Sequence, residues 1–298
     1  MVMKGIRVEA KHFGFSDEVK FYKAAPRPEL IQMTDINLET GLNPIKVIEV
    51  GKEDVSVWQS GVRHTIEKLS ELQEQYQGRD EEAIVGPAAE EFAAEARNHP
   101  ERYTFLSKWL AKEFSRRSQP LSVIDVGCGP GILTQQIATE LPEATVLGVD
   151  LSPDMLRIAK QDNELDRVSY VHGDVRDALA LAQRPADALL SRRMIHRVEG
   201  LETVLQRMAS AVRADGGVML NYSFRRPTEE SGQRAFVKAA SQRGDYKSLH
   251  AAFVRAVLNA PTLDEYVEAC RVVGRNLNLS RCAVMVFPFD VGILMTRE

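Results

Sequence analysis

The sequence has few of the features that mark specialised classes of protein. Its 298 residues include only three cysteines, Cys128, Cys270 and Cys282. Their number is odd, and their spacing matches neither a zinc site nor a disulfide framework. No window approaches the ~18 apolar residues that a membrane span requires. The first ten residues lack the apolar segment of a secretory signal. We therefore expect reduced thiols in a cytoplasmic protein, with no metal site and no membrane partner.

The chain also lacks an excess of charge of one sign. It has 38 Lys and Arg against 42 Asp and Glu, a net charge of −4. Domains that bind nucleic acid carry a basic excess on one face, so we expect no nucleic-acid partner. Hydrophobic residues at 44% and charged residues at 27% are typical of a globular chain. The length suits one large domain, or one ordinary domain with a smaller one.

The pattern of the chain changes near residue 120. After it, short apolar runs alternate with amphipathic segments, which favours a parallel sheet covered by helices on both faces. Before it, two β-rich runs at 44–50 and 55–58 are separated by a turn and suggest a hairpin. The predicted regions are an N-terminal α/β extension of unknown role (1–80) and a second domain (81–298), which comprises a helical cap (81–118), a sheet core (121–298) and a polar substrate lid (228–259).

The strongest local motif is VIDVGCGPG, Val123–Gly131, where a strand should be followed by a helix. Gly127, Gly129 and Gly131 permit close approach of a ligand to the backbone and dihedral angles that other residues resist. Their G-x-G-x-G spacing differs from the G-x-G-x-x-G of dinucleotide enzymes. Asp125 precedes the first glycine by two positions, where a carboxylate suits a ligand with an ammonium group.

Two further acids end the next two predicted strands. Asp150 follows the glycines by about 20 residues, the position from which an acid accepts hydrogen bonds from ribose hydroxyls. Asp174 ends the third strand and can accept one from an adenine amino group. Because the carboxyl ends of parallel strands share one edge of a sheet, we expect the three acids to line a site for a nucleoside with an amino-acid tail.

These segments carry a family resemblance. With Val146–Leu156, Val171–Val175, Ala186–Val198 and Val212–Leu220, the glycine motif resembles a class I S-adenosylmethionine-dependent methyltransferase of the small-molecule type, over about 100–298. The resemblance implies S-adenosylmethionine as cofactor. It also implies a Rossmann-like α/β fold, with a seven-stranded, mostly parallel sheet in the order 3-2-1-4-5-7-6 and strand 7 antiparallel.

The resemblance further implies a set of cofactor contacts. The methionine portion would be contacted by Asp125, Gly127, Gly129 and Gly131, and the ribose by Asp150. The adenine would be contacted by Leu151, Met155, Asp174 and Val175. Ser191 would lie at the methionine end, near the sulfonium. Tyr103 lies in the helix that covers the cofactor in this family and is a further candidate for a substrate contact.

The methyl acceptor is less clearly marked. The segment after the fourth strand lacks the Asn/Asp-Pro-Pro-Tyr/Phe motif of amino-methylating members, which favours a small-molecule acceptor. Arg192 and Arg193 could clamp a carboxylate or phosphate, or could be solvated or paired. Arg225 and Arg226 follow the fifth strand and invite the same two interpretations. His196 could be a general base, or could pack against the next helix.

The function predicted from these features is methyl transfer from S-adenosylmethionine to an O, C or N atom of a small, anionic metabolite. Three alternatives remain open. They are transfer of an aminopropyl or other group from a related cofactor, a non-catalytic methyltransferase-like subunit, and an NAD-dependent dehydrogenase. The glycine spacing and Asp174 disfavour the last. The extension at 1–80 could mediate homodimerisation, substrate selection or docking of a carrier or peptide.

Overall fold

The computed structural model describes residues 46–51, 67–76, 83–115, 121–162, 165–177, 180, 185–241 and 247–298. The helices are α1 (Glu67–Gln75), α2 (Pro87–Asn98), α3 (Glu101–Phe114), α4 (Ile132–Glu140), α5 (Pro153–Asp162), α6 (Leu201–Ser210), α7 (Glu230–Ser241), α8 (Lys247–Asn259) and α9 (Leu263–Asn276). The strands are β1 (Lys46–Glu49), β2 (Ser122–Val126), β3 (Thr145–Asp150), β4 (Val168–His172), β5 (Ala188–Arg192), β6 (Val218–Phe224), β7 (Leu279–Val286) and β8 (Asp290–Arg297).

The described strands form a single sheet in the order β1-β7-β8-β6-β5-β2-β3-β4. Strands β2 to β6 pair in parallel, whereas β8 is antiparallel to both β6 and β7. Counted from β2, this is the predicted order 3-2-1-4-5-7-6 with an antiparallel last strand. The predicted Rossmann-like α/β fold is therefore confirmed, but the sheet has eight strands rather than seven.

The eighth strand is β1, which pairs antiparallel with β7. The Val50 amide donates to the carbonyl of Cys282 at 2.7 Å, and Arg281 forms an ion pair with Glu49 at 2.7 Å. An edge strand leaves a row of backbone groups unpaired, and β1 pairs those of β7. The segment at 55–58, predicted to pair with this strand in a hairpin, lies outside the described residues.

Helices cover the sheet on both faces. On one face, Leu189 and Met219 belong to a buried apolar cluster with Leu205 of α6 and Tyr266 of α9. Across the sheet, helix α4 contacts β3, and α5 contacts β3 and β4. Burial on both faces explains why the parallel strands read as continuous apolar runs rather than alternating ones. The carboxyl ends of β2, β3 and β5 consequently meet at one edge of the sheet.

Helix α1 packs against the segment predicted to be a substrate lid. Leu69 and Leu72 share a buried cluster with Phe236 of α7 and with Phe253 and Val257 of α8. Residues 44–298 form one compact unit, which contains both β1 and α1. The role of the predicted extension at 1–80 stays a prediction. None of the described helices has the length and apolar character needed to cross a membrane.

Candidate active site

The turn after β2 needs glycine for two reasons. Gly127 has φ +70° and Gly129 has φ +54°, in the left-handed region that L side chains rarely adopt. The amide of Gly127 donates to the carbonyl of Val149 at 2.7 Å, which ties the turn to β3. A Cβ atom on Gly127 would lie 2.6 Å from Met194, whereas one on Gly129 would have no neighbour closer than 3.8 Å. The turn is therefore packed on one side and open on the other.

Asp150, the last residue of β3, is held by this turn. Its carboxylate accepts hydrogen bonds from the backbone amides of Gly129 and Ser152, each at 2.8 Å. Burial raises the pKa of Asp150, and these two amide donors oppose the rise. Each carboxylate oxygen receives one amide, and an ionised carboxylate has about four acceptor positions. The side chain can therefore still accept hydrogen bonds from a ligand.

Asp125 is the most deeply enclosed acid of the site, with 1% of its surface exposed. One carboxylate oxygen accepts a hydrogen bond from the hydroxyl of Thr134 at 2.6 Å. Burial raises the pKa of Asp125 to about 7, and the nearby charge of Asp150 adds to the rise. A cationic group placed beside it would favour its ionised form.

Asp174 has a partner that the sequence analysis missed. Arg176 donates to both carboxylate oxygens, through its backbone amide and Nε at 2.8 Å and through Nη2 at 2.5 Å. These hydrogen bonds lower the pKa of Asp174 and keep it ionised. A spacing of two residues in a short helical turn, Val175–Asp177, brings the guanidinium back onto the acid. An adenine amino group would share this carboxylate with Arg176.

The acids and the glycine turn border a single cavity of about 780 Å³. This volume lies in the range of ligand sites, about 300–1,000 Å³. Every residue predicted to contact the cofactor lines the cavity except Gly131 and Ser191. Leu151 and Met155 contribute its apolar wall near Asp150, and Val175 lies beside Asp174.

Ser191 was expected near the methionine end of the cofactor, and the structure does not bring it to the cavity. It is fully buried and lies opposite Val126 and Asn221 in the neighbouring strands. Side chains alternate along a strand, so Ser191 shares the face of Leu189, which α6 and α9 cover. Among the described residues, no hydrogen-bond partner lies within reach of its hydroxyl.

The two adjacent arginines after β5 have different environments. Arg193 has φ +54°, and its guanidinium pairs with Asp290 at 3.1 Å and stacks on the ring of Phe224. The guanidinium of Arg192 stacks on the ring of Tyr103 at 4.1 Å, and its Nε donates to the carbonyl of Arg102. Burial lowers the pKa of Arg192. Within the described part of the chain, Arg192 has no carboxylate at ion-pair distance.

The second predicted arginine pair lies elsewhere. Arg225 is fully buried and donates to the carbonyls of Phe287 and Pro288 and to the carboxylate of Glu229. Arg226 is exposed and lies 3.9 Å from Glu265. Neither residue lines the cavity. The substrate contact considered for this pair is therefore wrong, and Arg225 instead joins the end of β6 to the turn between β7 and β8.

His196 lies in a short helical turn, Ile195–Arg197, and lines the cavity. Its Nδ1 is 3.0 Å from the hydroxyl of Ser223, and its ring meets Phe224 edge-on. Burial lowers the pKa of His196 well below its usual range, and the charges of Arg197 and Arg193 add to the effect. The imidazole is therefore neutral near pH 7.

Helices α2 and α8 supply cavity residues that no sequence motif marked. His250 and Arg255 come from α8, while Phe92 and Glu95 come from α2. Glu95 forms an ion pair with Arg102, which also lines the cavity. The polar character of 228–259 was visible in the sequence. Which side chains of α8 border the cavity depends on how the helix is rotated about its axis.

Known proteins resemble this chain over its middle part. Residues 123–216 match the family described as "Methyltransferase domain". The malonyl-[acyl-carrier protein] O-methyltransferase of Priestia megaterium is 29% identical over 104 residues, 35% of this chain and 37% of that protein. The trans-aconitate 2-methyltransferase of Afipia carboxidovorans is 28% identical over 166 residues, 55% of this chain and 61% of that protein. The chain thus spans less than two thirds of either relative.

Solved structures share the fold at low sequence identity. The plantazolicin methyltransferase BpumL, in complex with a monoazolic desmethylPZN analog and SAH, has a TM-score of 0.57 and 13% identity, over 78% of this chain and 95% of that one. An O-methyltransferase family 2 protein from Planctomyces limnophilus, in complex with apigenin, has a TM-score of 0.51 and 19% identity, over 71% of this chain and 62% of that one. Residues 123–216 are thus similar to a methyltransferase domain, and the chain shares its fold with these solved methyltransferase structures.

Proposed function

We propose that the protein transfers a methyl group from S-adenosylmethionine to a small acceptor that carries an anionic group. When bound, the cofactor supplies a methyl group already activated by its sulfonium. The protein must therefore chiefly align an acceptor with that group and exclude water.

The residues around the cavity fit such a cofactor. Gly129 is open on its cavity side, so its backbone can be approached closely. Asp150 would accept the ribose hydroxyls, and Asp125 would face the ammonium group. Asp174, Val175, Leu151 and Met155 border the part of the cavity expected to hold the adenine. Burial raises the pKa of both acids deepest in the site despite the nearby charges of Arg192 and Arg197, and an ammonium group placed beside Asp125 would favour its ionised form.

The observation that carries the acceptor proposal is the guanidinium of Arg192. It lines the cavity, is held by Tyr103 and by the carbonyl of Arg102, and has no carboxylate at ion-pair distance within the described ranges. A partly buried guanidinium gains a strong, charge-assisted contact when it binds a carboxylate or phosphate. Arg193 would assist less, because Asp290 already pairs with it. Two of the relatives are named for acidic compounds, trans-aconitate and a malonyl group.

The proposal is tested by finding the acceptor and then removing Arg192. A metabolite extract incubated with methyl-labelled S-adenosylmethionine should yield a labelled small molecule. For that acceptor, Arg192→Ala should raise KM about 10- to 100-fold, the effect of losing one hydrogen-bonded charge pair. The affinity for S-adenosylhomocysteine should not change. Arg226→Ala is the matched control, since Arg226 is exposed and lies outside the cavity.

A second arm compares the acid with its amide. Replacing the acceptor's anionic group with a neutral amide should raise the KM of the wild-type protein by the same factor as Arg192→Ala raises it for the acid. If the acid and the amide are methylated equally well, and Arg192→Ala leaves KM unchanged, the proposed acceptor class is wrong.

A further inference from the structure

Several arginines line the cavity, and they differ in whether an acid accompanies them. Three are paired with carboxylates, namely Arg102 with Glu95, Arg176 with Asp174 and Arg193 with Asp290. Arg255 of α8 also lines the cavity, and within the described ranges its guanidinium has neither a hydrogen bond nor an ion pair. Arg192 likewise has no described carboxylate at ion-pair distance. The cavity is therefore bordered by two guanidiniums that no described acid pairs with.

The guanidinium nitrogens of Arg255 are open to a ligand. The residue is half-buried, and none of these nitrogens belongs to the described polar atoms that are buried without a partner. The same is true of the two terminal nitrogens of Arg192, whose Nε donates to the carbonyl of Arg102. A nitrogen that is neither enclosed nor bonded within the protein faces water or a ligand. Either guanidinium can therefore bind an anion without giving up a hydrogen bond to a described residue.

Helix α8 presents Arg255 to the cavity between short side chains. Ala252, Arg255 and Ala256 all line the cavity, and spacings of three and four residues place them on one face of the helix. Alanine ends at its Cβ atom, so these two neighbours do not block the longer side chain of Arg255. The planar fork of its guanidinium matches the paired oxygens of a carboxylate or phosphate.

Packing contacts place α8 beside the end of β5, where Arg192 lies. The helix contacts the Ile195–Arg197 turn, which begins three residues after Arg192. The ring of Phe253 in α8 meets the ring of Phe224 edge-on at 5.4 Å, and Phe224 carries the guanidinium of Arg193 at 4.0 Å. The two open guanidiniums therefore come from neighbouring elements and border the same cavity. They need not converge on one point, because each can bind an anionic group of its own.

We propose that the acceptor carries two anionic groups, of which Arg192 binds one and Arg255 binds the other. A partly buried charge is stabilised by a partner of opposite sign, and a single anionic group would leave one of the two guanidiniums without one. Carboxylate and phosphate groups share the chemistry that a guanidinium recognises. The inference rests on the proposed methyl transfer and deepens it, because Arg255 becomes a residue that selects diacids over monoacids.

The test compares simple acids as ligands of the protein saturated with S-adenosylhomocysteine. Malonate, succinate, glutarate and adipate are titrated calorimetrically beside the monocarboxylates of the same carbon number, because the separation of the two guanidiniums selects one chain length. At least one diacid should bind about 10-fold or more tightly than its monoacid, the effect of one added charge-assisted hydrogen bond. Arg255→Ala should abolish this preference, as should Arg192→Ala, because each leaves one guanidinium for two anionic groups.

Two further variants control for effects other than the loss of charge in the cavity. Arg255→Lys keeps the positive charge and should keep part of the preference for the diacid. Arg226→Ala removes an exposed arginine outside the cavity and should keep all of it. If no diacid is preferred, or if the preference survives in Arg255→Ala, the inference is wrong.

An analogue of the preferred diacid identifies the kind of anionic group. In this analogue a phosphonate replaces one carboxylate at the same chain length. Tighter binding of the analogue would indicate a phosphate on the acceptor, and tighter binding of the diacid would indicate a second carboxylate. In either case the advantage over the monoacid must disappear in Arg255→Ala.

The methylated product separates this inference from the proposed function. The acidic groups of the labelled product from the metabolite extract, counted together with any alkali-labile methyl ester, should number at least two. Chemical esterification followed by mass spectrometry gives this count. A total of one would overturn the inference and leave the proposed methyl transfer intact. Absence of S-adenosylhomocysteine binding would instead overturn the methyl transfer itself.

Discussion

At the scale of single residues, Asp125 shows how burial and function are linked. The carboxyl is enclosed beside Thr134, and burial raises its pKa to about 7, far above the value of about 3.9 expected in an unfolded chain. The native state therefore holds this proton more tightly than the unfolded state does. The resulting stabilisation is complete below about pH 4 and is lost as pH rises towards 7.

The first prediction concerns this loss. Between pH 4 and pH 8 the free energy of unfolding of the wild type should fall relative to that of Asp125→Asn, by up to about 4 kcal/mol. Urea unfolding at several pH values measures the difference. Saturating S-adenosylhomocysteine should reduce it, because an ammonium group beside Asp125 favours the carboxylate. A constant difference across this range would contradict the raised pKa.

Only some features of the site could be predicted from the sequence. Acids such as Asp150 were recognisable because an apolar strand ends in a carboxylate at a fixed distance from the glycines. The pairing of Asp174 with Arg176 was not, since it depends on the backbone angles of a three-residue turn. The different environments of Arg192 and Arg193 depend on a positive φ at the second, which no residue preference signals for arginine.

At the scale of elements, the glycine turn joins β2 to α4 and contacts the segment after β5. A Cβ atom added to Gly127 would press against Met194, whereas one added to Gly86, before α2, would meet nothing within 4 Å. Both glycines have positive φ, +70° and +61°. Alanine substitutions at these two glycines therefore separate the cost of backbone strain from the cost of a steric contact.

The second prediction uses this pair. Gly86→Ala should cost about 1 kcal/mol of stability through backbone strain alone. Gly127→Ala should cost about 2–4 kcal/mol, because the added methyl must also displace Met194. It should weaken S-adenosylhomocysteine binding as well. Thermal unfolding and calorimetric titration measure both effects, and equal losses for the two variants would show that the contact with Met194 is unimportant.

The third prediction concerns the junction between β6 and the turn from β7 to β8. Arg225 is fully buried and bonded to Glu229, Phe287 and Pro288. Arg225→Ala should lower the free energy of unfolding by about 3–5 kcal/mol, since it removes one partner of an enclosed ion pair. Exposed Arg226→Ala should change it by less than about 0.5 kcal/mol. Denaturant unfolding of both variants provides the comparison, and similar small effects would contradict a structural role for Arg225.

At the scale of the whole molecule, the order of the central strands followed from the alternation of apolar and amphipathic segments together with the family resemblance. The position of β1 in the sheet did not follow from the sequence. This strand pairs with β7, more than 200 residues away, and a local pattern cannot identify a distant partner. The packing of α1 on α7 and α8 was unpredictable for the same reason.

The fourth prediction compares two truncated chains. A chain that starts at residue 44 keeps β1 and α1, whereas one that starts at residue 81 leaves the β7 edge unpaired and exposes the surface that Leu69 and Leu72 cover. The second chain should unfold at a temperature about 5–15 °C lower than the first. Differential scanning calorimetry measures this, and equal midpoints would show that β1 and α1 contribute little.

The most direct test of the central claim is a calorimetric titration of the wild-type protein with S-adenosylhomocysteine and, separately, with NAD. The proposed methyl transfer and the acids of the cavity predict one site for S-adenosylhomocysteine and no binding of NAD. Asp150→Asn should weaken the binding at least about 10-fold, since it alters the carboxylate that we propose accepts the ribose hydroxyls and that accepts the amides of Gly129 and Ser152. Binding of NAD without binding of S-adenosylhomocysteine would contradict the account.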